Sequence, residues 1–291
     1  MQKKLYKGEK TMDFKNRVAV VTGAGGTLCS CIAVELASKG VKVALVGRTK
    51  EKLDSVSEKI TALGGECLVY PCDVTDKNAI ADLAVAVEEK FGLCDFLING
   101  AGGNNVKAMP TITKFDEREL LGTLPEGTRG LYDIDMDAFE SVIKINTMGS
   151  VIPLMEFAKH MIKKGGGSII NFASMNSYCP LTRCFAYAMS KAAVSNMTQS
   201  FAQYYANAGV RVNAIAPGFM VNERSKTYLG TVEEGLTLRG QQVIGHTPMG
   251  RFGEASDLVG CVMWLLDSDA SAFVTGTTIP VDGGFLTLGG V

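Results

Sequence analysis

Seven short apolar runs, most of them followed by a longer stretch of helical period, constrain this chain more than any other feature. They are "VAVV" (18 to 21), "VKVALV" (41 to 46), "CLVYP" (67 to 71), "DFLI" (95 to 98), "SIINFA" (168 to 173), "VRVNAIA" (210 to 216) and "TTIPV" (277 to 281). Most are rich in Val, Ile and Leu and carry few charges, as parallel strands do when both faces are covered. Between them, "KNAIADLAVAVEEKF" (77 to 91) and "KAAVSNMTQSFAQYYANA" (191 to 208) repeat apolar residues at amphipathic helical spacing. The alternation predicts an α/β fold, a single doubly wound parallel sheet of about seven strands with helices on both faces and right-handed crossovers. With 46% hydrophobic residues in 291 and no repeat or Pro/Ser-rich linker, one large core is expected. The domain reading is 14–291, preceded by a loose extension over 1–13 in which Met12 is a second candidate start. Two polar, turn-rich excursions, 103–135 and 219–250, interrupt the pattern, and excursions at strand carboxyl ends are where such sheets bind ligands.

The first run enters "TGAGGTLCS", Thr22 to Ser30, and then a helix-like segment. A strand-to-helix turn of this kind directs backbone N–H groups and the positive helix end at a pyrophosphate, and Gly23, Gly25 and Gly26 allow the tight turn and close approach. Taken by itself it is weak evidence, since an ordinary tight strand-to-helix connection can carry the same glycines. The stretch "SMNSYCPLTRCFAYAMSK" shifts that balance. Ser174 closes the fifth run, and Tyr187 and Lys191, four residues apart, share one face of a helix. An ammonium beside a phenol favours the phenolate and brings tyrosine toward useful proton transfer.

These stretches together resemble the short-chain dehydrogenase/reductase family from about Phe14 to the C-terminus. The matching motifs are "VTGAGG" (21 to 26), "CDV" (72 to 74), "NGAG" (99 to 102), "KIN" (144 to 146), Ser174, "YAMSK" (187 to 191), "VNAIAPG" (212 to 218) and "PVDGG" (280 to 284). The resemblance implies a Rossmann-like domain in which Tyr187 is the acid/base and Ser174 holds the substrate oxygen. Lys191 binds the nicotinamide ribose and lowers the tyrosine pKa, and Asn146 supports a water-linked proton relay. It further implies that Gly23, Gly25, Gly26, Thr27 and Leu28 cradle phosphate, that Asp73 and Val74 flank the adenine, and that Asn99, Ala101, Pro217, Gly218 and Met220 belong to the cofactor cleft. The sequence departs from the family's TGxxxGxG and NNAG at Thr27, Cys29 and Gly100, and Asn222 stands where a threonine usually meets the nicotinamide amide. At the end of the second strand, Gly47 leaves space and Arg48 offers positive charge to a 2′-phosphate, so NADP(H) is favoured, with NAD(H) possible.

A narrower resemblance lies in "NGAGGNNVKA", "SMNSYCPLTR" and "HTPMGRFGE", which look like the D-mannonate oxidoreductases of the short-chain type. It implies interconversion of a keto sugar acid and its hydroxy acid, D-fructuronate and D-mannonate. Such a substrate needs a cation and several hydrogen-bond partners, and Asn104, Lys107, Asn176 and Arg183 lie in segments expected to face the cleft. Gluconate 5-dehydrogenase-like, 3-oxoacyl reductase and broad carbonyl reductase activities stay open, as does a non-catalytic nucleotide sensor.

A net charge of −1 gives no general electrostatic reason for a nucleic-acid or anionic-membrane partner, which points to a small molecule. Eight cysteines without a CxxC pair read as reduced thiols of a cytoplasmic protein, and the two histidines, His160 and His246, lack metal-ligand spacing. The family resemblance implies a homotetramer, with apolar helices over 136–164 and 183–208 to pack across a two-fold axis.

Overall fold

The computed structural model describes residues 12–231 and 235–288. In chain order the elements are β1 (Val18–Thr22), α1 (Thr27–Ser38), β2 (Lys42–Gly47), α2 (Lys50–Ala62), β3 (Cys67–Pro71), α3 (Lys77–Phe91), β4 (Phe96–Asn99), α4 (Arg118–Leu121) and α5 (Met136–Lys164). There follow β5 (Gly167–Phe172), α6 (Phe185–Tyr205), β6 (Val210–Pro217), α7 (Glu223–Leu229), β7 (Gly230–Thr231), β8 (Gly235–Leu236), α8 (Leu238–Gly245), α9 (Ser256–Leu266) and β9 (Thr278–Val281). The seven apolar runs become one parallel sheet in the order β3-β2-β1-β4-β5-β6-β9, the Rossmann-like architecture expected.

Strand β1 shows why these runs carry no polar alternation. All five of its residues are buried, with Ala19 and Val21 facing Leu36, Ile60 and Leu265 on one side and Val18 and Val20 facing Leu83, Val87 and Phe157 on the other. Each such Val, Leu or Phe contributes about 1.5–3 kcal/mol by leaving water, on both faces of the sheet at once. The chain runs outward from β1 to β2 and β3, then returns to place β4 on the other side of β1. That reversal opens a crevice at the carboxyl ends of β1 and β4.

The long helix α5 starts on Asp135, whose carboxylate accepts from Ala138 N at 2.9 Å, and stops at Gly165 in the left-handed region. The excursion over 103–135 holds a 3-10 turn and α4, and Arg129 ties it together by donating to the carbonyls of Met109 (3.0 Å) and Val106 (2.5 Å). The second excursion, 219–250, is α7, the antiparallel β7–β8 pair and α8. Of the 1–13 extension, residues up to 11 lie outside the described residues; Met12 donates its N–H to Asp267 at 3.2 Å and packs on the core.

Candidate active site

The turn after β1 is built to face an anion. Gly23 has φ +69°, and a Cβ there would lie 2.7 Å from the Gly100 carbonyl oxygen, so both conformation and space require glycine. Gly25 packs on Lys52 of α2, and Gly26 is the N-cap of α1 with no side chain to cap it. The N–H groups of Thr27, Leu28 and Cys29 begin a helix and have no intrahelical acceptor, and the first turn carries no acidic residue. An uncapped, acid-free first turn behind a close-approach glycine fits a dinucleotide pyrophosphate. Thr22 was not singled out from the sequence, yet its buried hydroxyl accepts from the N–H of Gly100 (3.1 Å) and of Ala101 (3.2 Å), fastening the loop after β4 beneath the turn.

The departures at Cys29 and Gly100 are one packing feature. A Cβ on Gly100 would overlap the Cys29 sulfur, so the thiol occupies the space that a side chain at 100 would fill. Burial pushes that thiol up to about 12, against the opposing pull of Lys191, which keeps it protonated.

The serine, tyrosine and lysine come from the end of β5 and from α6. Lys191 is buried and donates to the Phe172 carbonyl at 2.6 Å, with its amine 5.6 Å from the centre of the Tyr187 ring. Burial lowers its pKa to about 8, which leaves it charged at neutral pH. Ser174 is buried, and its oxygen accepts from Asn176 N (3.2 Å) and Nδ2 (3.4 Å). Asn146 is fully buried in α5, where its amide brackets Gly103, accepting from the N–H at 3.1 Å and donating to the carbonyl at 2.8 Å. A Cβ on Gly102 would overlap Asn146 Oδ1, so this glycine, too, is demanded by close approach.

The remaining candidates divide. Arg48 is exposed just beyond β2, and Asp73 is exposed beyond β3. The Asp73 carboxyl is held below its usual range chiefly by the N–H of Thr75, with the Thr75 hydroxyl and the Arg48 guanidinium acting the same way. Val74 is buried beside Gly149 of α5. The Asn99 side chain is buried, donating to Ser150 O (3.1 Å) and Asn171 Oδ1 (2.9 Å), so it braces the floor rather than lining the cleft. Ala101 stays at the crevice, anchored by Thr22. Pro217 ends β6, Gly218 abuts Asp282, and the Met220 side chain lies in the core against Gly253. Asn222, the departure from the family's threonine, is the N-cap of α7 in a capping box with Ser225.

Among the substrate candidates, Asn176 Oδ1 accepts from Leu181 N (2.9 Å), and Asn104 Nδ2 lies 3.8 Å from the Cys184 sulfur and 3.2 Å from that of Met109. Arg183 donates to Thr111 O at 3.2 Å. Hydrogen bonds therefore lead from Ser174 through Asn176 to Leu181, whose carbonyl accepts from Cys184 N (3.3 Å) at the amino end of α6. Lys107 is exposed on the 3-10 turn. His160 is buried against Phe157 and accepts from Cys94 N at 3.5 Å, and His246 packs edge-on to Phe285. Among the described residues no cluster of three His, Cys, Asp or Glu could hold a metal, and no helix is long and apolar enough to cross a membrane.

The family model of the short chain dehydrogenases matches residues 17–229, and the chain belongs to that family. It is 42% identical over 279 residues, 96% of each chain, to an uncharacterized oxidoreductase of Haemophilus influenzae. A solved structure from that organism, of a proposed D-mannonate oxidoreductase with NAD bound, superposes with a TM-score of 0.89 at 42% identity, covering 95% of this chain and 97% of the other. Gluconate 5-dehydrogenase of Gluconobacter oxydans is 31% identical over 266 residues, 91% of this chain and 93% of that protein. The chain is thus an oxidoreductase that binds a nicotinamide nucleotide and works between CH–OH and ketone groups.

Proposed function

We propose that this oxidoreductase interconverts a keto sugar acid and its hydroxy acid, D-fructuronate and D-mannonate. The observation that carries the reading is the set of polar side chains from Ser174 and Asn176 to Asn104 and Arg183 around the amino end of α6, which suits a polyhydroxylated anion better than an apolar ketone. The likeness to the Haemophilus structure supports the same pair. The gluconate 5-dehydrogenase likeness keeps other hexonates as competing substrates.

The residues that would hold the dinucleotide are Gly23, Gly25, Gly26, Thr27 and Leu28 at the pyrophosphate, Asp73 and Val74 at the adenine, and Ala101, Pro217, Gly218, the Met220 backbone and Lys191 toward the nicotinamide. When bound, it supplies the hydride donor or acceptor. In the reducing direction Tyr187 gives its phenolic proton to the substrate oxygen, and in the oxidising direction it takes one. Ser174, oriented by Asn176, steadies the developing alkoxide. Lys191, charged at neutral pH, favours the phenolate and so eases release of the proton to the substrate oxygen. Asn146 positions the segment at Gly103 and serves the proton relay from there. Arg48 supports NADP(H), whereas the NAD in the Haemophilus structure supports NAD(H).

We further propose a homotetramer in the cytoplasm. Met148, Met155 and Ile162, seven residues apart along α5, are all exposed, as is Met189 on α6, which supports packing against another copy; eight free cysteines support a reducing compartment.

The test is turnover of D-mannonate, D-gluconate and apolar alcohols with NAD⁺ and NADP⁺. Mannonate should lead, and Tyr187→Phe should keep dinucleotide binding while losing turnover by about 100-fold or more. Preference for apolar alcohols would remove the sugar-acid reading, and near-parental turnover by Tyr187→Phe would remove the tyrosine's role.

A further inference from the structure

Arg239 was invisible as a site residue in the sequence, yet it has no hydrogen bond and no ion pair within the described residues. It is the second residue of α8, half-buried, with its guanidinium carbon 6.0 Å from the centre of the Tyr228 ring. Among the described residues five buried side-chain polar atoms lack a partner, and the two cationic ones are Arg239 Nε and Arg183 Nε. Other arginines contrast with them. Arg17 pairs with Asp95, Arg118 with Asp116 and Arg251 with Asp257, while Arg129 and Arg211 spend their donors on carbonyls. A buried guanidinium N–H without an acceptor calls for an anion or an ordered water at that point.

The two arginines converge. Arg183 precedes Cys184, the N-cap of α6, and Arg239 approaches from the second excursion. The Cys184 sulfur lies 3.8 Å from Asn104 Nδ2, and although burial raises its thiol above the ordinary value, the charges of Arg239 and Arg183 both act to lower it. Arg183 is held at φ +68°, one of two non-glycine residues in the left-handed region among those described, and its Nη1 is fixed to Thr111 O. A backbone kept in that region against its preference marks a side chain whose position matters. The amino end of α6 adds to the field, since this 21-residue helix has no side-chain cap and no acid in its first turn. Tyr187 lies one turn further along the same helix.

Resting on the sugar-acid reading above, we infer that Arg239 and Arg183 together form the seat of the substrate's carboxylate, one cation from each side of the amino end of α6. A planar carboxylate offers two oxygens to the forked donors of a guanidinium, which a lone ammonium cannot match. The geometry divides the labour: the arginines and Asn104 select the acid, while Ser174 and Tyr187 act on the carbinol. The orphan donors are then the free protein's unfilled half of a recognition contact.

The test compares D-mannonate with D-mannitol, which carries CH₂OH in place of the carboxylate, on parent, Arg239→Met and Arg239→Lys. The parent should prefer mannonate; Arg239→Met should raise its KM by about 10- to 100-fold with kcat little changed, leave mannitol unaffected, and so collapse the preference. Arg239→Lys should recover part of it. Without substrate, Arg239→Met should melt at or above the parent's temperature, because it removes a half-buried guanidinium whose Nε has no acceptor among the described residues, whereas an arginine that merely braces α8 would lower it. If the parent prefers mannonate and Arg239→Met keeps that preference, the seat is elsewhere and the sugar-acid reading stands. If the parent does not discriminate, both fall.

Discussion

Substituting Gly100 tests whether the Cys29 and Gly100 departures are a single coupled exchange. Gly100 does not lie in the left-handed region, so alanine is conformationally acceptable there and the effect is one of space. The added Cβ would overlap Cys29 Sγ, where an unstrained contact needs about 3.5–4 Å, and would sit 3.1 Å from the Thr22 carbonyl oxygen. Neither neighbour yields easily, because Cys29 is buried in α1 and Thr22 is buried in β1. Gly100→Ala should therefore cost about 1–3 kcal/mol by overpacking. Cys29→Ala should cost about 1 kcal/mol, the transfer of one buried group offset in part by alanine's helix propensity. In the double variant the overlap is gone, so the cycle should show a favourable coupling of about 1–2 kcal/mol.

At about 2–4 °C per kcal/mol for a chain of this size, the single Gly100→Ala change is readable by thermal melting at fixed protein concentration. The stronger arm uses the family's own residues: Gly100→Asn should be severely destabilised alone, and Cys29→Gly in the same chain should restore much of the loss. Additivity of the two changes within about 0.5 kcal/mol would refute the argument that the thiol fills the place of a side chain at 100.

Lys191→Met should stabilise the protein without ligand at pH 7 by about 1–2 kcal/mol, the relief of a buried charge (about 3 kcal/mol) less its bond to Phe172 O (about 1), while abolishing turnover. Because burial lowers the folded-state pKa from 10.5 to about 8, the native state binds fewer protons than the unfolded state between those values. The lysine's contribution to stability should thus rise as pH climbs through that window, and the parent's melting temperature should gain on the variant's there; parallel curves would contradict it. Arg48→Asp should weaken NADPH far more than NADH in fluorescence titrations, and equal losses would mean that Arg48 does not read the 2′-phosphate. Light scattering at micromolar concentration should give a tetramer, with Met148→Lys and Met155→Lys together lowering the mass; a monomeric parent would refute the assembly.

The sheet was readable in the sequence because parallel strands are buried on both faces, and runs such as "VAVV" and "VKVALV" need no periodicity to be seen. The two-residue strands β7 and β8 were not, since so short a pair has no pattern. Motif spacing picked out Ser174, Tyr187 and Lys191 as candidates because they sit just beyond one strand end and on one helix. It says less at Met220 and Asn222, where a position in a motif does not tell which way the side chain points. Met220 turns into the core, and Asn222 satisfies the first turn of α7, a cap that "NERS" spells out locally. Arg239 had no local signal at all, since its proposed meaning comes from a second arginine distant in sequence and from an Nε that finds no acceptor among the described residues.

The polar residues under the site explain how such a set can be held in register. Asn99 on β4 donates to Asn171 on β5 (2.9 Å), Asn171 donates to Thr198 on α6 (3.0 Å), and Thr198 donates to Val194 O (2.8 Å). All three side chains are buried, and an apolar floor of the same volume would be no less stable and would avoid the cost of desolvating amides. Apolar packing alone, however, lets a helix slide on a sheet with little penalty, whereas a series of directional bonds has one satisfied alignment. That alignment fixes α6, with Tyr187 and Lys191, against β5, which leads into Ser174. The Lys191 bond to Phe172 O is a second clamp between the same two elements. Under the roles proposed for Tyr187 and Ser174, a displacement of about 1 Å would cost on the order of a hundredfold in rate, so the buried amides would act on catalysis by setting the distance between the phenol on α6 and the hydroxyl beyond β5.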